Sequence, residues 1–244
     1  MISLEQVISA RPNFHASETE VQRSFKYTES LLPEAYARKL AASEVTCYGI
    51  EEGVLRFLAE TVSDDSKTLE TGAGCSTLVF AIRRAKHTTI TPSDTEIRRI
   101  KEYAADNGID LNTVRFVLEP SERYLPRYDE VGLDLVLLDG KHAFPWPMID
   151  WFFTADRLKR GGWMLLDDAQ MRSVAILVDF MSADPAWELV HNFSGKTLGF
   201  RKVRDNVLDV AWHMQPWTVK QPIAKYPGLH QRIWRRLGRL LRRS

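Results

Sequence analysis

The sequence predicts an α/β fold, a doubly wound, seven-stranded and mostly parallel sheet that ends in an antiparallel C-terminal hairpin. Three observations carry this reading. From about residue 63 onward, short β-branched or apolar runs alternate with segments of helical periodicity, which is the pattern of successive β-α units. The run Leu133-Asp134-Leu135-Val136-Leu137-Leu138 is almost continuously apolar, as a central parallel strand covered on both faces must be. Finally, Trp187-Glu188-Leu189-Val190-His191 and Leu198-Gly199-Phe200-Arg201-Lys202 flank a Ser194-Gly195-Lys196 turn, so they close as a hairpin.

Taken in order, residues 1–47 read as an N-terminal helical extension of polar segments and short helices, broken at Pro12 and Pro33. Ile50, Val54, Phe57, Leu58 and Val62 then recur at helical spacing and describe an amphipathic helix leading into the core. Lys67-Thr68-Leu69-Glu70 is the first strand, followed by a glycine turn and a helix around Leu78–Arg84. The β-branched His87-Thr88-Thr89-Ile90-Thr91 is the second strand. Ser93-Asp94-Thr95-Glu96 has the form of a capping box and opens a helix that turns Ile97 and Ile100 inward. Val114–Leu118 is the third strand, and the fourth runs to Asp139. A helix through Ile149–Leu158 leads past Gly161-Gly162 to the fifth strand, Trp163–Asp167, and a helix around Val174–Met181 precedes the hairpin. The α/β domain therefore spans 48–205, and 206–244 form a C-terminal extension.

Composition narrows the setting. A chain of 244 residues buries a sizeable core, and its apolar and charged fractions are those of an ordinary globular protein. Two cysteines, Cys47 and Cys75, make neither a disulfide framework nor a zinc cluster, which points to a reducing, cytoplasmic setting. The N-terminus has neither the basic start nor the apolar run of a secretory signal, and no stretch reaches the roughly 18–20 apolar residues that span a bilayer. The formal net charge is +1, yet six arginines near the C-terminus supply all of the positive surplus. The remaining body is net acidic, so no nucleic-acid partner is expected. On a helical wheel Ile233, Trp234, Leu237, Leu240 and Leu241 share one arc, and Arg232, Arg235, Arg236, Arg239, Arg242 and Arg243 oppose it. Such a helix suits a peripheral contact with an anionic inner membrane surface, or docking on the body or on a second copy in a homo-oligomer.

Ligands of open parallel sheets bind beyond the carboxyl ends of the strands. Glu70, Asp139 and Asp167 all stand at such ends. Glu70-Thr71-Gly72-Ala73-Gly74-Cys75-Ser76-Thr77 joins the first strand to its helix, with two glycines that permit a tight turn and close approach of a ligand. The third glycine of Gly-x-Gly-x-x-Gly is missing, because Thr77 stands there, and no Gly-Lys-Ser/Thr follows. An acid directly before Gly-x-Gly resembles the first motif of the class I S-adenosylmethionine-dependent methyltransferases, which have a Rossmann-like fold. The resemblance covers roughly residues 48–203 and looks closest to the small-molecule and sugar O-methyltransferases, in which an Asp-Gly-x-His element ends strand four. It implies that Glu70, Gly72 and Gly74, with Ser76 and Thr77, hold the amino acid end and ribose of S-adenosylmethionine. Two departures stand out. Thr91-Pro92-Ser93 replaces the acid that ends strand two in the family, leaving Ser93 and Asp94 as ribose candidates that also serve as helix cap and first-turn acid. Glu119-Pro120 replaces the Gly-Asp after strand three, leaving Ser121 or Glu122 near the adenine.

Asp139 and Asp167 lie one crossover apart on neighbouring strands, and Asp168 follows. Three converging carboxylates repel, which is relieved if one protonates or if a divalent cation such as Mg²⁺ joins them. The resemblance to metal-dependent O-methyltransferases implies the same ligand set. Asp139 could instead only orient the donor, and Asp168 could cap the following helix. His142, in Asp139-Gly140-Lys141-His142, is placed to take the proton of an acceptor hydroxyl, or to bridge its loop by hydrogen bonds. The aromatics of Ala143-Phe144-Pro145-Trp146-Pro147 could stack on a sugar or ring acceptor, or pack the lip of the sheet. The expectation is methylation of a hydroxyl on a small molecule or glycan precursor. The alternatives are a catalytically silent, methyltransferase-like binding module at a membrane-associated assembly, and a metal-free N-methyltransferase, against which Asp139-Gly140-Lys141-His142 argues.

Overall fold

The computed structural model describes residues 2–15 and 49–220. The basic amphipathic segment and most of the proposed N-terminal extension therefore lie outside the described residues. One unit covers residues 1–208 and a second begins at Asp209. Of the second, the described part is a 3₁₀ turn, Trp212–Met214, and a short helix, Pro216–Lys220.

In the first unit the elements are α1 (Leu4–Ala10), α2 (Glu52–Thr61), β1 (Lys67–Thr71), α3 (Cys75–Ile82), β2 (Lys86–Thr91), α4 (Asp94–Asn107) and β3 (Val114–Leu118). There follow α5 (Ser121–Tyr124), β4 (Leu133–Leu138), α6 (Trp146–Thr154), β5 (Leu158–Leu166), α7 (Arg172–Ala183), β6 (Trp187–Phe193) and β7 (Thr197–Lys202). The sheet order is β3-β2-β1-β4-β5-β7-β6. The first five strands pair in parallel, and β7 pairs antiparallel with both β5 and β6. This is the seven-stranded, doubly wound, Rossmann-like sheet the sequence predicts.

Alternation along the central strands explains the two layers. Val136 and Leu138 of β4 face one core with Leu69, Met164, Trp151 and Leu177, while Leu135 and Leu137 face the other with Leu55, Leu78, Phe80 and Ile100. Helices α6 and α7 cover the first face, and α1 to α4 the second. Burying an aliphatic side chain of this size contributes about 1.5–3 kcal/mol, so a strand apolar on both faces has only one stable place, the middle of the sheet.

Local departures from the sequence reading have identifiable causes. Strand β5 begins at Leu158, not at Trp163, because Gly161 takes φ +81° within the strand and the pairing with β4 shifts register there. Helix α6 begins at Trp146, before the expected Ile149. Lys202 is fully buried at the end of β7, and its Nζ donates to the carbonyls of Ala155 (2.8 Å) and Leu158 (2.7 Å), so it serves the orphan carbonyls beyond α6. Among the described residues no helix is long and apolar enough to cross a membrane.

The turn after β1 is fixed by backbone contacts on both sides. Gly72 N–H donates to the Ile90 carbonyl (2.8 Å), and Asp139 N–H donates to the Thr71 carbonyl (3.0 Å). Gly72 has φ +92°, and a Cβ there would overlap the Asp139 carbonyl oxygen. Gly72→Ala should therefore cost about 3 kcal/mol, from left-handed strain plus overlap with backbone that has no rotamer to yield. Urea unfolding measures it, and a loss below about 1 kcal/mol would contradict the close approach.

Candidate active site

The carboxyl ends of β1, β4 and β5 bring Glu70, Asp139 and Asp167 to one rim, with Asp167 N–H bonded to the Leu138 carbonyl at 3.0 Å. The three acids nevertheless have different surroundings.

Glu70 is 1% exposed and faces inward. Ser76 Oγ donates to its Oε2 at 2.6 Å, Thr77 Oγ1 donates to Oε1, and His87 Nε2 stands 3.1 Å from Oε1. A carboxylate only accepts, so Nε2 carries the imidazole proton, and Nδ1 accepts from Thr68 Oγ1 at 2.8 Å. The ring stacks on Phe80, with centroids 4.1 Å apart. Glu70, Ser76 and Thr77, read from the sequence as donor-binding, bond to one another and brace the Gly72-Ala73-Gly74 turn, and Ser76 also lines the cleft in front of it. Thr77 Oγ1 also accepts from Gly74 N–H at 3.0 Å. His87 was missed because its partners are set by strand register, with Thr68 opposite it on β1.

Asp139 is partly exposed and faces a cleft lined by Arg11, His15, Gly74, Cys75 and Ser76. A second cleft is lined by Gly140, His142, Pro147, Asp150, Leu166 and Val174. Asp139 Oδ1 stands 3.6 Å from His142 Nε2. The same Nε2 is 3.3 Å from Asp168 Oδ2. Asp168 takes φ +53°, a strained value for a residue with a side chain. Its Oδ1 accepts from Gln170 Nε2 at 2.8 Å.

Lys196 completes the cluster. Its Nζ is 2.6 Å from Asp167 Oδ2 and 3.6 Å from Asp168 Oδ1, while Thr197 Oγ1 donates to Asp167 Oδ1. The hairpin turn that carries Lys196 is tied down by Ala169 N–H donating to its carbonyl at 2.7 Å. The repulsion that motivated a metal at Asp139, Asp167 and Asp168 is thus relieved by an ammonium and an imidazole. Both Asp167 oxygens are committed, and among the described residues no His, Cys, Asp and Glu group is arranged to hold a metal ion. The residues present do not fit the expected Mg²⁺ site.

These charges shift one another. Burial, then the Asp167 charge, raises the Asp139 carboxyl well above the ordinary range, although His142 and Lys196 pull it back. Burial alone would lower His142, but Asp139, Asp168 and Asp167 outweigh it and hold the imidazole above its usual value. Lys196 is likewise raised: burial opposes its charge, and Asp167 and Asp168 favour it.

The remaining candidates separate. Ser93 is the N-cap of α4, accepting from Glu96 N–H at 3.2 Å, and Asp94 is an exposed first-turn acid. The acid beside the end of β2 is instead Glu96, which accepts from Thr91 Oγ1 at 2.8 Å and meets His15 Nδ1 at 3.2 Å. The capping-box pattern concealed it, since Glu96 turns away from the cap. Ser121 is buried and faces Asp150, whose carboxyl burial pushes up to about 6 against the hydroxyls of Ser121 and Thr71. Among the described residues, Asp150 Oδ1 and Thr71 Oγ1 have no partner at hydrogen-bond distance. Asp150 lies within the aromatic helix α6, where helical spacing gives no sign of its buried partners. Cys75 is no nucleophile, since burial pushes its thiol up to about 12.

The strand order and the antiparallel final pair make this a Rossmann-like fold. Residues 69–169 match the family described as "Methyltransferase domain". Among solved structures, the chain is similar to the S-adenosylhomocysteine-bound methyltransferase of Podospora anserina at 14% identity, covering 81% of this chain and 92% of that one with a TM-score of 0.54. A methyltransferase from Geobacter sulfurreducens shares 14% identity over 75% of this chain and 96% of its own, with a TM-score of 0.53. A candidate O-methyltransferase from Klebsiella pneumoniae shares 17% identity over 64% and 82%, with a TM-score of 0.53. No curated protein matches the chain. At these identities the likeness shows the fold.

Lys196→Ala would strand the buried Asp167 charge and should destabilise the protein by about 3 kcal/mol near neutral pH. The sign with pH follows from linkage. The folded chain holds the Lys196 ammonium above its ordinary value, so its contribution is fully present below the usual lysine range and is lost as pH rises through the folded value. Urea titrations should show the full deficit at pH 7 and at pH 8, both below the lysine range, and unchanged stability in Lys196→Ala would contradict the pairing.

Proposed function

We propose that the chain transfers a methyl group from S-adenosylmethionine to a hydroxyl of a small molecule or glycan precursor. One observation carries this reading: Asp139 lines the cleft at Gly74, His142 lines a second one, and their side chains stand 3.6 Å apart. The donor would be held by the backbone of that turn, whose close approach to Asp139 leaves no room for a side chain at Gly72, and by Asp139 itself. Glu96 stands where a ribose could be met, at the carboxyl end of β2. When bound, S-adenosylmethionine supplies an electrophilic methyl on a good leaving group, so the protein needs to align the acceptor and remove its proton.

His142 is the base in this scheme. It lines the second cleft, and its neighbours Asp139 and Asp168 stabilise the imidazolium formed when it takes the hydroxyl proton. The same carboxylates keep part of the His142 population protonated, and therefore inactive, above the ordinary imidazole range. No metal step enters, since the carboxylates are engaged by Lys196, Thr197 and His142. The acidic body gives no support to a nucleic-acid acceptor.

The test is methyl transfer from radiolabelled S-adenosylmethionine to a panel of hydroxylated metabolites and lipid-linked sugars. With an acceptor in hand, turnover should rise with pH through a value above the usual imidazole pKa. His142→Ala should lower kcat by about 10²–10⁴-fold while S-adenosylhomocysteine affinity stays within a few-fold. Full turnover in His142→Ala would remove it from the chemistry.

A further inference from the structure

Residues 2–15 form a wall of the cleft that the proposed function assigns to the donor. Helix α1 opens with a capping box between Ser3 and Gln6 and buries Val7 and Ile8. Cys75 Sγ meets the Val7 carbonyl at 3.8 Å, which fixes α1 against the start of α3. Arg11 then turns the chain at φ +42°, its N–H bonded to the Val7 carbonyl at 2.9 Å. Beyond it, Phe14 is buried edge-on against Tyr103, and Arg99 Nη1 donates to the carbonyls of Phe14 (3.3 Å) and His15 (3.2 Å). Glu96 holds His15 Nδ1, and the opposite edge of the ring faces Gly74, where a Cβ would stand 3.3 Å from Nε2.

The charges around this cleft are ordered. Arg11 and His15 line it on one side, next to Cys75 and Ser76 in the first turn of α3, whose backbone N–H groups favour anions. Asp139 lines it as well, and a cationic ligand group beside it would draw its raised carboxyl back to the anion. Among the described residues no carboxylate pairs with the Arg11 guanidinium. A cleft with a cation and an anion at short range suits a zwitterionic α-amino acid group better than a phosphate or an uncharged ring.

We propose that Arg11, with His15 beside it, receives the α-carboxylate of the donor's methionine end, so that the N-terminal segment is part of the donor site. This rests on the donor reading above. The segment therefore selects for an intact amino acid headgroup, independently of the nucleoside.

Calorimetry of the full chain with two ligands tests it. S-adenosylhomocysteine carries the headgroup, whereas 5′-methylthioadenosine keeps the nucleoside and sulfur and lacks it. Arg11→Ala should weaken S-adenosylhomocysteine at least tenfold and leave 5′-methylthioadenosine within twofold, and Arg11→Lys should recover part of the loss. Equal weakening of both ligands would show a merely structural role and overturn the inference, as would unchanged S-adenosylhomocysteine binding. A wild-type chain that binds neither ligand would overturn the donor site itself, a failure distinct from that of Arg11.

Discussion

The site depends on one close approach of backbone to backbone, Gly72 against the Asp139 carbonyl. It allows the turn after β1 and the loop after β4 to share a rim without a side chain between them. Because β1 and β4 are hydrogen-bonded neighbours, the contact fixes the cleft of the first loop beside the acid of the second. Glu70 supports the same turn from below through Ser76, Thr77 and His87. A buried carboxylate with three donors is expensive to desolvate and well satisfied once formed, which makes the turn rigid.

Electrostatics at the rim follow from the same geometry. Parallel strands that each end in an acid bring like charges together, and the fold answers with cations from elsewhere. Lys196 comes from the antiparallel hairpin, and His142 from the loop that Asp139 begins. The hairpin therefore does more than close the sheet, since its turn delivers the ammonium that lets Asp167 stay buried. Satisfying the acids in this way raises His142, so the interaction that stabilises the cluster also strengthens the candidate base.

Much of the fold was legible because burial on two faces writes itself into β4 and β-branched residues into β2. The strands were found within a few residues, except where Gly161 hid the start of β5 by looking like a turn. The site was less legible. Acidic strand ends identified the rim, but periodicity says nothing about which partner a buried acid meets across the sheet. The Ser76, Thr77 and His87 partners of Glu70, and the Lys196 partner of Asp167, were therefore not legible. Lys196 read only as a turn residue, and Glu96 only as half of a capping box. Residues 2–15 did carry a signal, in the Ser3-to-Gln6 cap followed by Val7 and Ile8. The polar stretch beyond Pro12 obscured it.

The measurement closest to the central claim is a crystal structure of the protein with saturating S-adenosylhomocysteine. The account predicts the nucleoside across the Gly72–Gly74 turn, its amino acid end between Asp139 and residues 11–15, and its sulfur facing His142. A cleft that stays empty, or that takes a nicotinamide dinucleotide instead, would contradict it.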